Sequence, residues 1–303
     1  MRERGFSGET TVVVSYPIVG AIHAVEEFLN KKWQVTSWEH QNEIQRKFID
    51  NIVAACKREI PLIQEIECIA HLDVEVVNEW LEHHGFSIQL RPTSAPGFSV
   101  ASKLDLSGYW ESLGTVIDIF TDEGEKYPGV KMKHGYEFFQ TDSIENLILK
   151  IGTEGEEEVY MVMVDQVPLG FELIEFVEGI QSKMRRAMIE YTEVHFPMID
   201  LDHEGPLDWI LGMRVYVDDP SVPYHMIAQA LQQTKLKMNE KGFRIKSAAA
   251  MQMVLGAALF TKYEPYIINR PFLMWVKKPT LSKPLLVGYF NHDVWKNPSG
   301  LEM

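Results

Sequence analysis

Met238-Asn239-Glu240-Lys241-Gly242-Phe243-Arg244-Ile245-Lys246-Ser247-Ala248-Ala249-Ala250 is the stretch on which the fold turns. Thr234 to Met238 alternates polar and apolar residues, the period-2 pattern of a half-buried strand, and Asn239-Glu240-Lys241-Gly242 is turn chemistry that ends it. An apolar run follows from Met251 to Phe260, and then Arg270-Pro271-Phe272-Leu273-Met274-Trp275-Val276 and Pro284-Leu285-Leu286-Val287-Gly288-Tyr289-Phe290. These last two aromatic-rich runs are separated by a polar segment bounded by Pro279 and Pro284, which predicts a hairpin. A hairpin is common by itself. Strand, N-E-K-G turn, alanine run and R-P-F hairpin in that order are not.

The succession resembles the C-terminal end of the serpin family. There a strand ends in N-E-x-G, an Ala-rich hinge leads into an exposed reactive-centre loop, and a P-F-hydrophobic hairpin closes the fold. The resemblance implies an α+β serpin fold: a mixed main β-sheet, additional sheets, surrounding helices and the exposed loop. It implies one domain over residues 1–303 with the loop region at 243–268.

Weaker matches extend it upstream. Thr10 to Ser15 reads as a strand, and Pro17 opens a helix whose apolar face uses Ile18, Ile22, Val25 and Leu29. Ser15-Tyr16-Pro17-Ile18-Val19 is a loosened form of the family's S-P-L-S-I motif. Gln41 to Lys57 reads as an amphipathic helix, and Asp73 as the N-cap of another through Val74, Val77 and Leu81. Val77-Asn78-Glu79-Trp80-Leu81-Glu82 is similar to the I-N-x-W-V-E helix that lies across the main serpin sheet. Phe98 to Trp110 resembles the central strand ending in Y-F-x-G-x-W, which puts Trp110 where loop insertion begins. Glu193 to Leu201 reads as one further strand of the main sheet. Too few residues separate the first helix from Asp73 for the family's usual elements, so a trimmed serpin with a smaller main sheet is expected.

The resemblance implies an inhibitor that acts as a suicide substrate: a serine or cysteine protease cuts the loop, and the loop inserts into the sheet while still bound to the enzyme. The matched hinge residues are Glu240, Gly242, Phe243, Ile245, Ser247, Ala248, Ala249 and Ala250. Inserted side chains pass under the sheet, where added volume costs packing energy. Ser247 to Ala250 meet that demand. Phe243, standing where inhibitory members carry Thr or Ser, and Ile245 do not, so Phe243→Thr with Ile245→Ala is expected to raise the trapped fraction. At the sheet-opening region, together with Ser15 and Trp110, Gln232 stands in place of the usual histidine and Ser102 in place of the usual asparagine; Gln and Ser could pair across the strands. Counting from the two ends of the loop leaves the scissile region open among Gly256, Leu259 and Phe260. The alternative implied by the hinge departures is a non-inhibitory serpin-fold binding or carrier protein.

Composition fits this reading. The 303 residues are 46% hydrophobic and 24% charged, with a formal net charge of -14, and no dense basic stripe recommends nucleic acid or an anionic membrane as partner. No apolar stretch is long enough to span a bilayer. The chain as written reads as cytoplasmic, or as secreted if a leader has been removed. Cys56 and Cys68 lie in segments with helical periodicity and read as buried free thiols. No metal or cofactor site is expected, and Glu156-Glu157-Glu158 reads as a solvated turn edge. The enzyme motifs G-x-S-x-G, H-E-x-x-H and G-x-G-x-x-G are absent, and Asp200-Asp202-His203-Glu204 reads as a solvated turn, so no enzyme is expected. An apolar loop exposed to solvent carries a risk of loop-sheet self-association.

Overall fold

The computed structural model describes residues 6–93, 97–205, 207–222, 224–244, 260–262, 264–298 and 300–301. The chain forms two compact units, one of residues 1–13, 106–202 and 235–303 and the other of 14–105 and 203–234.

The first unit is built on a seven-stranded sheet whose strands run, in spatial order, Arg185–Arg186, Tyr136–Thr141, Ile144–Ile151, Glu158–Met163, Phe272–Lys277, Leu286–Phe290 and Thr11–Val13. Every pairing in it is antiparallel. The expected C-terminal hairpin is at its heart: Phe272 pairs with Phe290 and Val276 with Leu286. Phe272 to Val276 and Leu286 to Phe290 are buried throughout, which explains why both runs are apolar at every position and show no alternation. Glu158–Met163 lies beside this hairpin and is almost as fully buried.

The triple glutamate departs from expectation. Glu157 is buried and lies 3.5 Å from the ammonium of Lys278, and half-buried Glu158 pairs with Lys150 at 2.7 Å. Lys278, just past the hairpin strand, and Lys150, on the neighbouring strand Ile144–Ile151, supply counter-charges that a reading of the turn alone leaves out.

Glu193 to Leu201 is not one strand. Val194–Pro197 joins a four-stranded sheet with Tyr266–Ile267, Lys126–Met132 and Thr115–Phe120, while Ile199–Gly205 joins a different one. The break falls at Met198, whose N–H still bonds the Pro128 carbonyl at 3.0 Å, the next position in the register with Lys126–Met132. Asp200 to Glu204 therefore lies in a strand rather than a turn, with Asp202 3.3 Å from Lys235.

In the second unit, helix Ser15–Asn30 begins two residues before Pro17 and buries Ile18, Ile22, Val25 and Leu29, the expected face. The helical run from Glu43 to Cys56 contains a π-helical stretch at Phe48–Val53. Helix Val74–His83 is capped by Asp73, whose carboxylate accepts the Glu75 N–H at 3.1 Å. Val77 and Leu81, one turn apart, fill its inner face together with Ala101. The helix ends at Gly85, where φ of +80° lets Phe86 N–H close on the Leu81 carbonyl at 3.0 Å. Beneath it Ile66–His71 and Ser99–Leu104 pair antiparallel. Cys68 sits on the first of these strands and is an exposed residue, unlike buried Cys56. Its sulfur faces inward to the Ser102 hydroxyl at 3.4 Å, and burial pushes the thiol up.

Candidate functional site

Gly242–Phe243, at the start of the expected hinge, forms a strand of its own. The N-E-K-G turn reverses the chain after Gln232–Met238. Asn239 N–H donates to the Gly242 carbonyl at 2.9 Å, and the Asn239 side chain accepts the Lys241 N–H at 2.9 Å. Gly242–Phe243 then runs back antiparallel to Gln232–Met238, with Phe243 opposite Met238 and Arg244 N–H donating to the Lys237 carbonyl at 3.1 Å. On its other side it pairs antiparallel with Gly108–Tyr109, Gly242 opposite Tyr109 and Phe243 opposite Gly108. The sheet order is therefore Ile199–Gly205, Gln232–Met238, Gly242–Phe243, Gly108–Tyr109.

Two glycines make this possible. A Cβ on Gly242, whose φ is +155°, would fall 2.1 Å from the Gly108 carbonyl oxygen; a Cβ on Gly108 would fall 2.6 Å from Cζ of Phe243. The first glycine permits the close backbone approach, and the second leaves room for the ring. Phe243 is 1% exposed and Trp110 is 2% exposed. Their rings lie 5.3 Å apart, and Trp110 meets Phe196 edge-on at 5.9 Å. The Trp110 indole N–H donates to the Asn239 carbonyl at 2.8 Å, and Gly114 N–H donates to the Glu240 carbonyl at 2.8 Å. Of the sites foreseen from sequence, Glu240, Gly242, Phe243 and Trp110 thus come together. Ile245, Ser247, Ala248, Ala249 and Ala250 lie outside the described residues, as do Gly256 and Leu259.

Phe260–Lys262 forms a strand parallel to Ile189–Tyr191, and Tyr266–Ile267 pairs parallel to Val194–His195. Lys262 sits 5.2 Å over the Tyr191 ring. Hydrogen bonding to Tyr191, with a smaller contribution from Glu264, raises its ammonium above the usual lysine range.

Gln232 and Ser102 each bond elsewhere: Gln232 donates to the Val14 carbonyl at 3.1 Å, and Ser102 accepts the Cys68 thiol. Ser15 is buried with its hydroxyl unpartnered. Sequence reasoning passed over Gly108 and the Asn239 carbonyl. A glycine inside a strand pattern is a sign of close approach, and Gly108 carried that sign. Among the described residues, no group of His, Cys, Asp or Glu is placed to hold a metal ion, and no helix is long and apolar enough to cross a membrane.

The sequence matches no protein-family model and no curated protein sequence. Solved structures do match. Human glycosylated kallistatin superimposes with a TM-score of 0.53 at 12% identity, over 96% of this chain and 93% of that one. Thyroxine-binding globulin in complex with thyroxine does so with a TM-score of 0.52 at 11% identity, over 93% of this chain and 92% of that one. Both are serpins, and with 93% or more of the chain superimposed on them, this chain has the serpin fold.

Proposed function

We propose that the protein inhibits serine proteases as a suicide substrate. A protease serine attacks a carbonyl in the loop, the amine side of the cut bond leaves, and the acyl ester is carried along as the loop enters the sheet. The observation that carries this reading is the position of Gly242–Phe243, paired on both sides between Gln232–Met238 and Gly108–Tyr109. A loop that continued along the same track would become a full strand.

Among the candidate cleavage positions, Phe260 is the least suited, because its backbone is committed to the strand with Ile189. Gly256 and Leu259 remain, which favours elastase-like or chymotrypsin-like enzymes. A non-inhibitory binding role is the second reading, and the bulk of Ile245, which would have to follow Phe243 into the sheet, favours it.

The test is to mix the protein with trypsin-, chymotrypsin-, elastase- and papain-like proteases and look for a covalent complex that survives boiling in detergent. Such a complex with a chymotrypsin- or elastase-like enzyme is expected. Cleavage of the loop across the panel without any complex contradicts inhibition and favours the binding role.

A further inference from the structure

We infer that Phe243 is a latch that holds the start of the loop inside the sheet in the uncut protein, with Gly108 as its seat. By volume alone Phe243 is an obstacle to insertion. The structure has it already inserted: the ring is buried and packs on Trp110, and it occupies the space that a side chain on Gly108 would fill. The strand around it is two residues long, so backbone pairing contributes little and one side chain decides whether the hinge stays in. Trp110 joins the ring to the turn, since its indole packs on Phe243 while its N–H holds the Asn239 carbonyl. Gly242 is equally constrained, because any side chain there would strike the Gly108 carbonyl.

The latch has two consequences. It fixes register: with side chains alternating along a strand, Ile245, Ser247 and Ala249 follow Phe243 onto the same face if insertion proceeds. It also moves the volume problem one step along, from Phe243 to Ile245, the next bulky residue that would share its face. Phe243 is thus a positioning residue for insertion. This use of the latch rests on the inhibitor reading, whereas the latch itself is a property of the uncut chain.

Hydrogen exchange on the uncut full-length protein tests it. In the natural protein the amides of Phe243 and Arg244 should be protected well beyond those of an unstructured chain. Phe243→Ala should speed their exchange roughly 10- to 100-fold, the factor that corresponds to the transfer energy of a buried phenylalanine side chain. Gly108→Ala, which leaves the loop sequence intact, should do the same by expelling the ring, and Phe243→Leu should restore part of the protection. Exchange across Phe272 to Lys277 should not change in any variant. Unprotected amides at 243 and 244 in the natural protein, or protection unaltered by Phe243→Ala, overturn the latch. Reaction of the same proteins with a chymotrypsin-like protease separates the two proposals. If the exchange results hold and no covalent complex forms, the latch stands and the inhibitor reading fails. If complexes form but the hinge amides are unprotected, the latch fails and inhibition stands.

Discussion

The hairpin Phe272–Lys277 with Leu286–Phe290 and the hinge strand Gly242–Phe243 are both antiparallel pieces of the same unit, yet they are secured by different means. The hairpin has buried side chains on both faces along nearly its whole length, and a neighbouring strand on each side that pairs across most of it. No single residue holds it. The hinge strand offers one ring, and that ring depends on one glycine. Structure held by many contacts opens only with the whole fold, whereas a segment held by few contacts can open on its own.

Substitutions in the two places should therefore differ in scale as well as in site. Trp275→Ala, which removes a fully buried ring stacked on Tyr160, should cost roughly 3–5 kcal/mol of global stability in denaturant unfolding. A loss under about 1 kcal/mol would mean that the hairpin is as loosely held as the hinge. Next in size is Lys278→Met, which leaves Glu157 as a buried carboxylate without its cation and should cost ~3 kcal/mol. If the variant unfolds at the natural denaturant midpoint, the pair is not what tolerates the buried charge.

Phe243→Thr should cost less, about 2 kcal/mol, although the residue is as deeply buried as Trp275. A hinge that can open locally caps the penalty at its own opening free energy, whereas the hairpin has no such escape. Equal losses for Phe243→Thr and Trp275→Ala would break the comparison. The smallest effect belongs to Trp110→Phe, which keeps an aromatic ring against Phe243 but loses the indole donor to Asn239. It should cost about 0.5–1.5 kcal/mol, with faster exchange confined to the turn and hinge.

The same contrast governs what could be read from the sequence. The hairpin and helix Val74–His83 were legible because long periodic or uniformly apolar runs, closed by prolines or capped by Asp73, carry their own signal. The hinge strand was not. Two residues have no period, and Gly242-Phe243 after a turn reads as loop until the partner strand Gly108–Tyr109 is in place. Phe243 reads only as bulk in the sequence, and the space over Gly108 that takes its ring is visible only once the two strands are paired. Glu157 looked solvated because Lys278, far along the chain, does not appear in a local reading. The well-alternating segment around Met198 is divided between two sheets because the strands before and after it find different partners. Partners distant in sequence decided each of these, and local pattern could not supply them.

If the loop enters the sheet on cleavage, as proposed, the melting temperature before and after a single cut in residues 245–259 reports it most directly. Insertion adds a paired, buried strand, so the cleaved protein should melt more than roughly 10 °C above the uncut one, far beyond the few degrees that a 1 kcal/mol change produces in a chain this long. A cleaved protein that melts at the same temperature as the uncut one, or below it, would contradict loop insertion and the inhibitory mechanism with it.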